Sequence, residues 1–260
     1  MDVAVSGLPG GNVYIGTAGW TVPTRQSTAF DGPGSHLERY ARRLNAVEVN
    51  SCFYRHHQPA TYERWAASVP SDFRFSVKLP RALTHEGGLH AGGQSLARFA
   101  DEVAALGPKL GAVLVQLPPS LAFDPAEADV FFDTLTRRLP APLVCEPRHP
   151  SWADGQVMRL LERFGIARVA ADPARFVEHA LPGGARRISY VRAHGAPRMY
   201  YSEYDAAGMA ALGRIVEAAR GESSIVWCIF DNTGLGYAIG NALEMARTQN
   251  LRADGGGGVY

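Results

Sequence analysis

The stretch "GAVLVQLPPSLAFDPAEADVFFDTLTRRLPAPLVCEPRH" (residues 111–149) decides the fold, because it contains a complete strand–helix–strand unit. Runs rich in aliphatic and β-branched residues at 111–119 and 143–149 flank a helical pattern at 126–139. Asp124 and Pro125 precede that pattern, and they are a favoured pair at the start of a helix. Two strands joined by a helix pair in parallel, since parallel neighbours need a long crossover.

The same rhythm recurs along the whole chain and predicts a barrel. Strand-like segments occur at 13–20, 46–54, 73–80, 111–119, 143–149, 166–173, 188–195 and 224–232. Most gaps between them carry a helical pattern, and only 174–187 is poor in it. Eight such units in about 250 residues match a TIM barrel. An open doubly wound sheet is less favoured, because "GTAGW" (16–20) is not a dinucleotide-binding GxGxxG loop. We therefore predict an α/β fold with a single (β/α)8 TIM-type barrel domain at 1–250, irregular around the sixth unit, and a flexible Gly-rich tail at 251–260.

Composition narrows the class of protein. The 260 residues are 46% hydrophobic and 20% charged with a formal charge of +1, which is ordinary for a soluble globular protein. No global basic excess favours nucleic acid, no apolar run suits a membrane span, and the first residues lack a signal-peptide pattern. Cys52, Cys145 and Cys228 lie far apart in apolar segments. This pattern indicates buried, reduced thiols and a cytoplasmic location.

Polar residues occupy one face of the predicted strands near their carboxyl ends. Strand side chains alternate between faces, so a polar set opposite an apolar set faces the barrel interior. This set comprises Glu48, Asn50, Tyr54, Lys78, Gln116, Glu146, Arg148, Asp172, Arg192, His194 and Asn232. One interpretation is a polar plug of ion pairs that only sets strand register. A ligand site is favoured, because active sites of this fold lie at the carboxyl ends of the strands.

Six ordered motifs carry a resemblance to a known family. "VEVNSCFY", "FRFSVKLPRALTH", "VLVQLPPS", "EPRHPSW", "YVRAHG" and "FDNTGLGYAIGNA" resemble the YecE-like family, known as domain of unknown function 72. The resemblance implies a TIM-barrel fold but no settled reaction. It also implies that the polar positions above, other than Asp172, together with His85 and His149, belong to the family pattern. The chain departs from that pattern at Cys52, Pro147 and Asp231.

These side chains suggest an enzyme acting on a small anionic, phosphorylated or sugar-like molecule. Glu48, Glu146, His149 and His194 are the catalytic candidates, and the two glutamates suit acid–base or hydrolytic chemistry. Each glutamate is equally compatible with neutralising a neighbouring cation. Arginine suits phosphate and carboxylate, and neutral amides suit hydroxyl groups. The substrate-binding candidates are Asn50, Tyr54, Lys78, His85, Gln116, Arg148, Asp172, Arg192 and Asn232.

Two alternatives remain open at this point. Glu146, His149, Asp172 and His194 offer oxygen and imidazole ligands for zinc or manganese, as in a divalent-metal phosphodiesterase or nuclease. The absence of HxH and HExxH spacing and the nearby arginines argue against that site, so no cofactor is expected. The other alternative is a non-catalytic protein that only holds a ligand at the barrel mouth.

Overall fold

Strands and helices alternate along the chain in the computed structural model, which describes residues 11–89 and 93–249. The predicted tail at 251–260 lies outside this part of the chain. The strands are β1 Asn12–Ala18, β2 Ala46–Val49, β3 Arg74–Lys78, β4 Leu110–Gln116, β5 Leu143–Glu146, β6 Ala167–Arg168, β7 Ala170–Asp172, β8 Gly183–Gly184, β9 Ile188–Ala193 and β10 Ile225–Phe230. The α-helices are α1 His36–Ala41, α2 Pro59–Ala67, α3 Gln94–Ala104, α4 Pro125–Arg138, α5 Gly155–Arg163, α6 Ala206–Glu222 and α7 Ala238–Thr248.

Side-chain caps fix where several helices begin. Ser35 and Glu38 form a capping box at the start of α1. Asp124 accepts hydrogen bonds from the first turn of α4, ahead of Pro125. After β5, a 3-10 turn occupies Pro150–Ala153, and Asp154 then caps α5.

The strands form one nearly closed, barrel-shaped sheet of ten strands in the order β7-β9-β10-β1-β2-β3-β4-β5-β6-β8. Every pair is parallel except β6 with β8, which is antiparallel. Only Val169 separates β6 from β7. Because β6 pairs with β5 and β7 pairs with β9, this short segment links the two ends of the sheet.

The prediction of eight parallel strands is therefore met only in part. The sixth predicted strand is split at Val169, and β8 adds an antiparallel strand, so the sheet is mixed. The irregularity falls in the sixth unit, where the 3-10 turn Val177–Ala180 stands in place of an α-helix. A cavity of about 300 Å³ opens beside this unit, lined by Met158, Leu181 and Ile215 among others.

Two sets of buried apolar side chains separate the inside of the barrel from its outside. The larger set fills the layer between strands and helices and includes Leu143 and Cys145 of β5. The smaller set lies on the opposite strand face and includes Leu114, Val144 and Trp227. Val144 lies between Leu143 and Cys145, so the two sets follow the alternation of the strand. A polar residue that lies two positions after a member of the smaller set, on the same strand, therefore also faces the barrel interior.

Two further sequence-based expectations can be compared with the structure. Cys52, Cys145 and Cys228 are buried and free, as their apolar surroundings in the sequence predict. Over the described residues, no helix has both the length and the apolarity that crossing a membrane requires.

Candidate functional site

A cluster of charged side chains closes the barrel interior at the carboxyl ends of its strands. Each member extends the inward face of its strand: Gln116 follows Leu114 in β4, and Glu146 follows Val144 in β5. The carboxyl ends of parallel strands meet at one edge, so these side chains converge. The cluster comprises Glu48, Lys78, Gln116, Glu146, Arg148, Arg192, His194 and Asp231.

Arg192 of β9 is the centre of this cluster. Its guanidinium makes a two-point contact with Glu48, through Nε at 3.1 Å and Nη2 at 2.7 Å. Nη1 donates to Glu146 Oε2 at 2.6 Å and faces Gln116 Oε1 at 3.5 Å, while Nη2 also donates to Asp231 Oδ2 at 2.9 Å. The guanidinium has five N–H groups, and it makes five contacts with side-chain oxygens of the protein. Arg192 is only 1% exposed, so its donors are used within the protein.

Glu48 is held from a second side by tyrosine. Tyr190 of β9 donates its hydroxyl to Glu48 Oε2 at 2.9 Å, and Ser76 Oγ lies 2.9 Å from the same hydroxyl. Both Glu48 oxygens are therefore hydrogen-bonded, and the residue is completely buried. Glu48 and Glu146, the two predicted acid–base residues, both contact the Arg192 guanidinium.

His194 bridges two carboxylates beside Arg192. Its Nδ1 lies 3.1 Å from Asp231 Oδ2, and its Nε2 lies 3.2 Å from Glu146 Oε1. Both ring nitrogens donate only in the protonated imidazolium. Burial alone lowers the pKa of His194, but Glu146 and Asp231 raise it above its ordinary value. Burial raises the pKa of Glu146, and Arg192, Arg148 and His194 outweigh that effect and hold it well below the ordinary range.

These charges nearly cancel when Lys78 is left aside. Glu48, Glu146 and Asp231 supply three negative charges, and Arg192, Arg148 and protonated His194 supply three positive ones. Buried charges are tolerated when they are paired in this way. Lys78 therefore adds a positive charge in excess of the balanced cluster.

Arg148 connects the cluster to the barrel mouth. Its Nε donates to Glu146 Oε1 at 2.8 Å and its Nη1 donates to the Tyr200 hydroxyl at 2.8 Å. Nη2 is buried and has no hydrogen-bond partner in the described structure. Tyr200 has a φ of 71°, a strained value for a residue with a side chain. That backbone conformation places its phenol against Arg148 and fixes the guanidinium.

Lys78 lies at the end of β3. Its ammonium lies 4.0 Å from the centre of the Phe53 ring and forms no ion pair with a carboxylate anywhere in residues 11–89 and 93–249. Burial and the charge of Arg192 lower the pKa of Lys78 to about 8. His85 meets the same Phe53 ring edge-on, 4.9 Å between ring centres. Burial and the neighbouring cations lower the pKa of His85 to about 4, so its imidazole is neutral at pH 7.

A small cleft borders the cluster on the side of β5 and β9. Glu146, Arg148 and His194 line it together with His179 and Met199. Its volume is about 10 Å³, which is enough for one water molecule. The larger cavity beside the sixth unit contains none of these residues.

The remaining predicted site residues lie around the rim, and they differ in exposure and in hydrogen bonding. Strand β2 ends at Val49, so Tyr54 leaves the inward face and is 76% exposed. Asn50 retains a buried, unpartnered Oδ1 in the described structure. His149 caps the 3-10 turn that follows β5, with Nδ1 2.8 Å from Ser151 Oγ.

The last two predicted residues help to fix loops. The backbone carbonyl of Asp172 accepts hydrogen bonds from the His194 amide at 2.6 Å and the Tyr204 hydroxyl at 2.8 Å. Asn232 is completely buried and donates through Nδ2 to Ser202 O and to Asn241 Oδ1, both at 2.9 Å.

Glu146, His149, Asp172 and His194, the ligands of the alternative metal site, do not form one metal-binding group. Within residues 11–89 and 93–249, no three His, Cys, Asp or Glu side chains are grouped in a geometry that suits a metal ion. Glu146 and His194 are instead hydrogen-bonded to each other and held beside Arg192.

Four important neighbours were not among the predicted site residues. Asp231 follows the inward positions Trp227 and Ile229 of β10, so strand alternation contains a signal for it. Tyr190 lies two residues before Arg192 on the same face. Tyr200 and Phe53 lie in a loop and a 3-10 turn, where no periodic pattern points to the site.

The raised pKa of His194 predicts a pH-dependent contribution to stability. Protonated His194 stabilises the fold fully below the unfolded pKa of about 6.5, and this contribution is lost as pH rises through the higher folded pKa. We expect the free energy of unfolding of the wild type, relative to His194→Gln, to fall between pH 6 and pH 9. Urea denaturation of both proteins at matched ionic strength measures it. A difference that stays constant or grows with pH would show that His194 is not protonated in the fold.

Residues 14–256 match the family described as "Protein of unknown function DUF72". The UPF0759 protein YecE of Escherichia coli K12 is 31% identical over 178 residues, which cover 65% of this chain and 62% of YecE. The matched region thus spans less than two thirds of that relative. The UPF0759 protein YunF of Bacillus subtilis is 24% identical over 209 residues, covering 74% of this chain and 73% of YunF.

Solved structures share the fold. A DUF72 family protein from Enterococcus faecalis superposes with a TM-score of 0.80 at 21% identity, covering 94% of this chain and 97% of its own. A DUF72 family protein from Thermotoga maritima gives a TM-score of 0.73 at 22% identity, covering 92% and 99%. At these identities the similarity supports the shared fold alone and says nothing about the chemistry of this chain.

Proposed function

Because this chain belongs to the DUF72 family, whose description assigns no reaction, we propose a function from its own site: acid–base or hydrolytic chemistry on a small anionic, phosphorylated or sugar-like substrate at the barrel mouth. Lys78 and Arg148 bind the anionic group. Gln116 and Asn50 add neutral polar groups for hydroxyls.

One observation carries this proposal. Lys78 and Arg148 keep cationic hydrogen-bonding capacity that the described part of the protein leaves unused, whereas all five N–H groups of Arg192 face protein acceptors. A buried donor without a partner is uncommon and is costly unless a ligand or solvent satisfies it. The excess positive charge at Lys78 favours an anion in that position.

We assign proton transfer to Glu146, which contacts Arg148, and to His194. They are hydrogen-bonded to each other and border the cleft that has room for one water molecule. A carboxylate paired with an imidazolium suits a general acid and base that exchange one proton. Glu48 is enclosed by Arg192 and Tyr190, so we assign it to holding Arg192 in place.

We infer that the sheet is a variant (β/α)8 barrel in which β6 and β7 together replace one strand, because only Val169 separates them and they pair with neighbours on opposite sides. Three buried free thiols support the cytoplasm as the compartment.

Substitution of Lys78 tests the binding step. Lys78→Met removes the excess charge at similar volume, and we expect phosphorylated sugars and inorganic phosphate to bind roughly 10–100-fold more weakly, since a hydrogen bond to a charged group contributes about 1.5–3 kcal/mol. Calorimetric titration measures the affinity. Lys109→Met is the matched control, because Lys109 Nζ donates to the carbonyls of Ala66 and Val69 at the end of α2.

The outcomes of this experiment separate clearly. Weaker binding in Lys78→Met, with unchanged affinity in Lys109→Met, supports the proposed anion site. Equal binding in wild type and Lys78→Met, or no binding of any of these anions by the wild type, contradicts it. Nuclear magnetic resonance of the bound sugars in D₂O then tests turnover, which Glu146→Gln is expected to abolish.

A further inference from the structure

Lys78 occupies an environment that differs from that of an ordinary surface lysine. The chain has 26 Lys and Arg residues, and only Lys78 and Lys109 are lysines. Lys78 is half-buried, faces the mouth and packs its ammonium against the Phe53 ring. The Lys109 ammonium instead donates hydrogen bonds to two backbone carbonyls. Arginine would meet a purely electrostatic role at position 78, but arginine cannot lose its proton at ordinary pH.

The surroundings of Lys78 lower its pKa and so increase the fraction of neutral amine. Burial and repulsion from Arg192 both disfavour the ammonium, and Glu48, Glu146 and Asp231 offset them only in part. With a pKa of about 8, roughly one amine in ten is neutral at pH 7, against about one in 2,500 at the ordinary value. An amine in an apolar setting beside another cation is the arrangement by which proteins activate lysine as a nucleophile.

The neighbours of Lys78 indicate what such an amine would attack. Arg148 presents an unpartnered Nη2 for an anionic group. His85 lies on the same Phe53 ring and is neutral at pH 7, so it is able to accept a proton. A molecule that uses both the Lys78 amine and the Arg148 guanidinium carries a carbonyl carbon and a negative group. Phosphorylated keto or aldehyde sugars and 2-oxo acids have this combination.

We propose that Lys78 forms a covalent imine with the carbonyl group of a small anionic aldehyde or ketone, an inference that rests on the proposed anion site. The Lys78 nitrogen lone pair attacks the carbonyl carbon, the C–N bond forms, and the C=O π pair moves to oxygen. A proton passes from nitrogen to that oxygen to give a carbinolamine. Loss of one water molecule then forms the C=N bond, with no net oxidation or reduction.

Reductive trapping tests this step with defined probes. Wild-type protein is incubated with dihydroxyacetone phosphate or pyruvate in the presence of sodium cyanoborohydride, which supplies hydride to the imine carbon. The expected product carries one adduct, with the mass of the probe less one oxygen atom, and peptide mapping locates it at Lys78. The trapping rate is expected to rise as pH increases from 6 to 8. Glycerol 3-phosphate and lactate serve as anionic probes without a carbonyl group.

Two lysine-to-arginine variants distinguish the possible outcomes. Lys78→Arg keeps a cation, so we expect at least a 50-fold loss of trapping while glycerol 3-phosphate still binds. Lys109→Arg is expected to trap like the wild type. Binding of glycerol 3-phosphate without any adduct at Lys78 overturns the imine but leaves the anion site intact. Labelling of Lys109 or the amino terminus at the rate of Lys78 likewise overturns it. Failure of all four probes to bind contradicts the anion site itself.

Discussion

Replacing Arg192 by Met is expected to lower the free energy of unfolding by about 3–5 kcal/mol, because it leaves buried carboxylates without their shared partner. Glu48, Glu146 and Asp231 all accept hydrogen bonds from this one guanidinium. Within residues 11–89 and 93–249 Glu48 forms an ion pair with Arg192 alone, and it is completely buried. A decrease of this size is a large fraction of the stability of a typical domain.

Urea denaturation followed by circular dichroism measures this change. Arg186→Met is the matched control, because Arg186 forms an ion pair with Glu222 in which both side chains are well exposed, at 75% and 61%. Exposed pairs contribute about 0–1 kcal/mol. If Arg192→Met does not fold, Arg192→Lys keeps the charge with fewer donors and is expected to show an intermediate loss. Stability of either Arg192 variant within 1 kcal/mol of the wild type would contradict the central role of Arg192.

Strand periodicity made much of this site predictable. The alternation in "LVCE" places Val144 and Glu146 on one face and Leu143 and Cys145 on the other, and the structure has this arrangement. The same rule placed Glu48, Gln116 and Arg192 in the interior. The start of α4 was equally predictable, because Asp124 caps it through contacts within one turn.

Partnerships across the barrel could not be derived from the sequence. Arg192 was expected to bind substrate, yet residues on three other strands and at the end of β10 occupy its donors. The sequence around Arg192 does not reveal its partners, because the partner carboxylates lie up to 144 positions away along the chain. The bond between Arg148 and Tyr200 also depends on a strained backbone in a loop without periodicity.

The split of the sixth strand arises from a different cause. Residues 166–173 ("IARVAADP") are mostly aliphatic, and this composition does not reveal that the two halves of the segment pair with different neighbours. The antiparallel addition of Gly183–Gly184 was equally hidden, because glycines carry no strand pattern.

Replacing Arg148 by Met is expected to weaken the binding of glycerol 3-phosphate by roughly 10–100-fold, because the anion loses a charged donor that the described part of the protein leaves free. The fold is expected to persist, since Glu146 retains Arg192 and His194 as partners. The loss of stability should therefore be well below that of Arg192→Met. Arg186→Met again provides the matched control, with affinity equal to that of the wild type.

Calorimetric titration of glycerol 3-phosphate into the wild type, Arg148→Met and Arg186→Met tests the anion site most directly. The proposed site predicts saturable one-to-one binding by the wild type and by Arg186→Met, and at least tenfold weaker binding by a folded Arg148→Met. Equal affinities in all three proteins, or no binding by the wild type, would contradict it.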